Sequence, residues 1–280
     1  NRAIATAIMH LNKHPIDSVH GFSCTTKEVT KLTEKILETT SKEELRKYKI
    51  KEERFDVIKE GTLIIKTILE TLKPTTFMAS GAGVREGVYL VDILGENARF
   101  PKGVNPSVQT LCDRFIPHQH QEVKELCETS LKLFDLLKPL HKLDNSYRHH
   151  LFVAAKLSLV GKYLNFYNTS SHSFYMILSA LSYGFTHTER MIIANIVRNM
   201  QTKGEKSPFS KKIREFPLHP VTSIWLESLF SLAKAIHTVP IQKEKPILNL
   251  EKGGKLILSG VHFQTKLSRE ALDKVPLPLG

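Results

Sequence analysis

Sulfur is scarce in this chain: there are three cysteines in 280 residues, Cys24, Cys112 and Cys127, far apart from one another. No CxxC pair occurs, which excludes the common thiolate metal cages, and an odd count closes no disulfide framework. The three read as reduced thiols that pack rather than react. No apolar run approaches the roughly 18 residues that span a bilayer, so no membrane partner is expected. The opening Asn1-Arg2-Ala3-Ile4-Ala5-Thr6 has no basic start leading into an apolar stretch and a cleavage site, as a signal peptide would. The expected location is therefore the cytoplasm. The first residue is not Met, and the expectation is a fragment. A Walker phosphate loop is absent, because no Gly-Lys-Ser/Thr follows a glycine-rich turn, and no Gly-x-Ser-x-Gly elbow occurs, which removes two familiar catalytic frames. No internal repeat and no low-complexity tract is present.

Acidic residues are also in deficit: 28 Asp and Glu against 40 Lys and Arg, a net charge of +12. With 41% hydrophobic and 24% charged residues, the composition is that of an ordinary globular protein with a real core. The length suits two domains or one large one. The charge is uneven. Residues 1–103 hold 17 basic and 14 acidic residues, residues 104–280 hold 23 and 14, and the window from Lys142 to Arg214 holds 11 and three. A solvated basic face and a groove for a polyanion both fit that window.

The first segment alternates helix and strand. Thr25-x-x-Glu28 and Ser41-x-x-Glu44 are capping-box starts. Glu52 to Leu72 reads as one long helix with Phe55, Ile58, Leu63, Ile65, Ile68, Leu69 and Leu72 as its buried stripe. Thr76 to Ser80 reads as a short buried strand, Gly81-Ala82-Gly83 as a turn and Val84 to Leu94 as a helix, together an α/β unit. The Gly95–Pro106 stretch marks a boundary. Beyond it the pattern is nearly all helical: Pro106–Ile116, His120–Leu137, Tyr147–Leu159, Ser171–Ser182, Thr186–Met200 and Val221–His237, with a loop at Gln201–Pro208. Ile247–Leu250 and Lys255–Leu258 flank Gly253-Gly254 as a hairpin, and Leu267–Val275 closes the chain as a short helix.

Ser80-Gly81-Ala82-Gly83-Val84-Arg85-Glu86-Gly87 is the strongest local signal. A strand that opens through glycines into a helix presents backbone N–H groups and the helix dipole to an anion. Arg85, in the first helical turn, opposes that dipole unless an anion lies beside it. A tight turn whose glycines serve geometry alone also fits, and short glycine-rich loops of that kind are common. His118, His120, His149, His150, His172 and His187 all fall in the helical part, and clustered histidines invite a metal. The stretch Ala154 to Gly161 has the frame of a His-Asp (HD) phosphohydrolase helix, "AAxLHDxG". Ser158, Leu159 and, further on, Lys234 stand where its ligands would be. None of these suits a divalent ion, so no metal site is expected in this chain.

Several stretches, taken in order, resemble the exopolyphosphatase / guanosine pentaphosphate phosphohydrolase family: Val19-His20-Gly21, Glu53-Arg54-Phe55-Asp56-Val57-Ile58 with Gly61, Ser80 to Val88 (similar to "SxxGLREG"), His120-Gln121-Glu122-Val123, the Ala154–Gly161 helix, His172-Ser173-Phe174-Tyr175, Gly184-Phe185-Thr186 and Ile196-Val197-Arg198. The resemblance implies that residues 1–103 are part of a second actin-like (ribonuclease H-like) lobe. It implies that residues 104–280 are an HD-like helical domain with a hairpin tail. It implies that the phosphate loops and catalytic glutamate lie upstream, so no catalytic residue is assigned here. Substrate contacts are expected at Ser80, Gly81, Gly83, Arg85, His172, Arg198 and Lys203, on a basic groove for polyphosphate or guanosine pentaphosphate. A packed or capping His172 fits the same residue. Mg²⁺ is expected for the whole enzyme and none for this chain alone, and the family implies a homodimer. A polyanion-binding or dimerisation module is the alternative. Aromatic stacking platforms would favour nucleic acid, but no RNP-like or OB-like strand pattern is present, so nucleic acid is the less expected partner.

Overall fold

The computed structural model describes residues 1–95, 103, 105–116, 120–198, 216, 218–239, 246–276 and 278. The chain is mostly helical, with two small antiparallel sheets, and forms two compact units. The first takes Asn1–Asn105 with Ser182–His187 and Phe216; the second takes Pro106–Leu181, Thr188 onward and the segment from Pro217.

In the first unit, helix α1 (Arg2–Leu11), strand β1 (Ser23–Thr25), α2 (Thr26–Glu38) and α3 (Lys42–Lys47) lead to α4 (Ile58–Leu72), β2 (Thr76–Met78) and α5 (Val84–Leu94). The reciprocal cap at α2 forms as the sequence indicates. The Thr25 hydroxyl accepts the Glu28 N–H at 3.3 Å, and the Glu28 carboxylate accepts the Thr25 N–H at 3.0 Å. The Thr25 N–H and the Thr25 hydroxyl, which donates to the same carboxylate at 2.8 Å, hold the Glu28 carboxyl below its usual range. Strands β1 and β2 pair antiparallel with Cys24 opposite Phe77. The core gathers Ile4, Ile8, Phe22, Val29, Leu32 and Ile36 between α1, α2 and the ribbon, which places apolar faces at helical spacing against one another.

Three expectations need correction. The long helix does not begin at Glu52: residues Glu52–Arg54 form a 3₁₀ turn, and α4 starts at Ile58. The Glu52 carboxylate pairs with Arg46 of α3 at 2.8 Å, which ties the segment to α3 instead of to the axis of α4. The stripe on α4 is largely open: Ile58, Thr62 and Leu69 are buried, whereas Leu63, Ile68 and Leu72 are exposed. The strand is not buried either, since Thr76 and Met78 are exposed and only Phe77 turns partly inward.

The second unit runs α6 (Pro106–Phe115), α7 (His120–Leu136), α8 (Lys138–His141), α9 (Ser146–Leu157), a 3₁₀ turn at Val160–Tyr163, α10 (Thr169–Ala180), α11 (His187–Arg198, Thr188 onward in this unit), α12 (Pro220–Ile236), β3 (Ile247–Leu250), β4 (Leu256–Ser259) and α13 (Lys266–Asp273). Helices α7, α9 and α12 form its centre, where Leu133, Phe134, Leu151, Leu157 and Phe230 are fully buried. The hairpin pairs Leu248 with Leu258. It turns through Gly253 and Gly254, at φ +101° and +84°, a region where a side chain would be strained. After α8 the buried His141 ring locks the chain: its Nε2 donates to the Phe134 carbonyl at 2.8 Å, and its Nδ1 accepts the Leu143 N–H at 2.9 Å. Burial pushes its pKa down, and the neutral ring is the form that both bonds require.

Candidate functional site

The turn before α5 is built by side chains from elsewhere in the first unit. Arg2 of α1 donates through Nε to the Ser80 carbonyl at 3.3 Å and through Nη2 to the Gly81 carbonyl. The Gly81 N–H donates to His20 Nδ1 at 2.8 Å. A Cβ on Gly81 would lie 2.6 Å from the Cβ of His20, so the close approach needs glycine, whatever the turn also binds. His20 belongs to a histidine chain. Its carbonyl lies 3.1 Å from His187 Nε2, and His187 Nδ1 lies 2.7 Å from His14 Nε2. A carbonyl only accepts, so His187 carries its proton on Nε2. In the neutral ring, Nδ1 then accepts from His14. Sequence reading named His187 among the candidate histidines and His20 only within Val19-His20-Gly21, and did not single out His14; the 173 and 167 residues that separate His14 and His20 from His187 conceal the contact.

The N–H groups of this turn are engaged. Ala82 donates to the Ser80 hydroxyl at 3.2 Å and Gly83 to the Glu86 carboxylate at 2.8 Å. Bonds from the N–H groups of Glu86 itself and of Gly83, with smaller help from Arg85, hold the Glu86 carboxyl below its usual range. The anion at the start of α5 is thus the protein's own carboxylate, with the exposed Arg85 next to it in the chain. That arrangement answers the helix dipole from within.

In the second unit, His172 sits in the first turn of α10, half-buried, with its N–H on the Asn168 carbonyl at 3.1 Å. The Arg198 guanidinium lies over the Phe174 ring, 5.1 Å from its centre. Positions 172 and 174 are about 200° apart around a helix, so the Arg198 contact is not on the His172 face. Lys203 lies outside the described residues, as do His118 and the whole Gln201–Pro208 loop. The basic window is less open than its count suggests. Arg190 is fully buried, with its pKa lowered by burial to about 10, Arg148 is bound two-fold to Asp135 at 2.8 and 2.7 Å, and Lys162 pairs with Glu122 at 3.9 Å.

Ser158 and Leu159, at the places where sequence reading sought metal ligands, carry neither a carboxylate nor an imidazole. Ser158 is buried and gives its hydroxyl to the Ala155 carbonyl at 2.8 Å, and the Ser158 carbonyl accepts from Ser173. Among the described residues no group of three or more His, Cys, Asp or Glu is placed to hold an ion. Cys112 and Cys127 line a cleft of about 400 Å³ with Lys156, and burial pushes their thiols up to about 11 and about 12. They stay protonated at neutral pH and unreactive as nucleophiles. No described helix is long and apolar enough to cross a membrane.

Known proteins bear on both units. The profile of the Ppx/GppA phosphatase family matches residues 1–96, and that of Ppx/GppA phosphatase, domain III, matches residues 105–255. The chain belongs to the Ppx/GppA phosphatase family. It is similar, at 25% identity over 162 residues, to the guanosine-5'-triphosphate,3'-diphosphate pyrophosphatase of Aeromonas hydrophila subsp. hydrophila, a match that covers 57% of this chain and 32% of that protein. The chain thus spans about a third of the length of the curated relative it matches.

Proposed function

We propose that this chain is the carboxy-terminal part of a phosphoanhydride hydrolase acting on inorganic polyphosphate or guanosine pentaphosphate. On this reading residues 1–103 complete a second actin-like lobe, residues 104–280 are an HD-like domain without a metal, and the catalytic base lies upstream. What carries the reading is that two successive profiles of one phosphatase family account for residues 1–96 and 105–255 in order. The exposed apolar side chains of α4 and α5 support it, since they would cover an upstream part of the lobe. Attack on a terminal phosphoryl group needs a base and charge neutralisation. The donors proposed here for the substrate are the Ser80–Gly83 turn, Arg85, His172, Arg198 and Lys203. At the turn, Glu86 holds the place that a phosphate oxygen would take once the carboxylate swings out. Mg²⁺ would serve the whole enzyme; the described residues offer it no ligand cluster.

The test is phosphate release from polyphosphate and from guanosine pentaphosphate, by this chain alone and by a protein that also carries the upstream lobe. The chain alone is expected to be inert and the longer protein active, with Arg85→Ala lowering its activity and Arg85→Lys restoring only part, because a point charge does not reproduce the guanidinium fork. Turnover of about 1 s⁻¹ or more by the chain alone overturns the reading.

A further inference from the structure

The second unit carries an exposed aromatic cluster that the hydrolase reading does not use. Tyr163, Phe166 and Tyr167 are 66%, 71% and 78% exposed, far more than solitary aromatics need to be. They are arranged, not scattered. Tyr163 meets Phe115 edge to face at 5.3 Å, and Phe166 meets Tyr167 at 5.8 Å with ring planes 85° apart. Cations are interleaved with them: the Arg114 guanidinium lies 5.2 Å from the centre of the Phe115 ring and Lys162 Nζ 5.9 Å from that of Phe166. Glu122, 3.9 Å from Lys162, is the acidic side chain paired with this group. Between Asp144 and Glu189 the sequence contains no acidic residue.

The backbone holds this cluster in place. Gly161 donates its N–H to the Ser173 hydroxyl at 2.9 Å, and a Cβ there would run into Ser173 N and Thr169 O, so the segment is clamped to α10 where it begins. The Tyr167 N–H donates to the Asn165 side chain at 2.9 Å and the Thr169 hydroxyl to the Phe166 carbonyl at 2.7 Å. Asn168, at φ +59°, then turns the chain into α10. A backbone held in this way has little left to order when the segment binds.

We propose that Arg114–Phe115 and Lys162–Tyr167 form a docking surface for single-stranded nucleic acid. Its bases stack on Tyr163, Phe166 and Tyr167, and its phosphates meet Arg114 and Lys162. Exposed rings set among cations match the two chemistries of that polymer, π-faces and backbone charge. Bare polyphosphate has no ring to stack, guanosine pentaphosphate has one base for three exposed rings, and a duplex hides its bases.

The test uses fluorescence anisotropy of this chain with a labelled single-stranded oligoadenylate of about 16 nucleotides, the upper end of the site sizes of such proteins. An abasic sugar-phosphate oligomer of equal length is measured beside it. Oligoadenylate binds more tightly than the abasic strand. The double variant Phe166→Ala/Tyr167→Ala weakens oligoadenylate by about 10-fold or more, given what one stacked base is worth, and leaves the abasic strand unchanged. Tyr167→Phe, which keeps the ring, binds as the parent does, and an unchanged helical spectrum of each variant excludes misfolding. The proposal is overturned if the abasic strand binds as tightly as oligoadenylate, if the double variant weakens both ligands alike, if oligoadenylate does not bind, or if sedimentation shows the double variant parting two copies of the chain while oligoadenylate affinity stays the same.

Discussion

Helices α5 and α12 differ in what their apolar residues find. Val84, Val88, Tyr89, Leu90, Val91, Ile93 and Leu94 crowd the eleven residues of α5, and none of its residues is buried; Val84 is 84% exposed. Helix α12 is similarly apolar and buries nine, among them Leu226, Phe230, Leu232 and Ile236. An apolar helix face is stable only when something covers it. For α12 the cover is α7, α9 and α13 of its own unit. For α5 no cover is found among the described residues, and the outer face of α4, with Leu63, Ile64 and Leu72, shares that exposure. The second unit has a core of its own. The first has a core on one side and, on the proposed reading, the surface for a missing neighbour on the other.

The comparison breaks most sharply on truncation of a side chain from each helix. Phe230→Ala should cost about 3–5 kcal/mol of unfolding free energy, the usual range for a buried Phe, whereas Val88→Ala in this chain should change it by less than about 0.5 kcal/mol. Urea unfolding followed at the second unit and at α5 reads both; equal losses would mean that α5 is covered after all.

Burial of charge sharpens the same contrast through pH. Burial raises the Glu227 carboxyl of α12 from 4.5 to about 7. The folded state therefore holds its proton more tightly than the unfolded chain does. The group costs nothing below the unfolded value, and its cost grows as pH rises from about 4.5 to about 7. Glu227→Gln should stabilise the protein by up to about 3 kcal/mol at pH 8 and leave it nearly unchanged at pH 4. Stabilisation that is the same at both pH values would contradict the assignment. Glu86, exposed at the start of α5, moves in the opposite direction, its pKa lowered by N–H bonds.

A smaller effect is expected at Gly81. A Cβ at that position meets His20, and Gly81→Ala should cost about 1–3 kcal/mol, read as faster exchange of the amide at position 81 rather than as global unfolding. Unchanged exchange would show that His20 does not hold the turn.

The helices of the second unit were legible because long amphipathic periods and boundary residues agree, as at Pro220, which begins α12, and the glycine pair of the hairpin. The cap at Thr25 was legible for the same reason: its two bonds lie three residues apart. Helix α1 and strand β1 were not recognised. Asn1 makes no side-chain cap, and three residues of strand are too few for alternation to show. The glycine turn was visible, but its wiring was not. Arg2, His20 and His187 reach it or its neighbours across 61 to 173 residues, and a partner that distant leaves no local pattern. Counting charges also overstated the basic window, because Arg190 contributes to the count while its side chain lies in the core.

Hydrogen exchange along α5 and α12 tests the central claim most directly. In this chain alone the α5 amides should exchange close to the rate of an unprotected segment, while those of α12 should approach the protection of global unfolding. In a protein that also carries the upstream lobe, α5 should slow by about 100-fold or more, since a covered helix opens only with the structure that covers it. An α5 as protected as α12 in this chain, or one that does not change when the upstream lobe is present, would contradict the account.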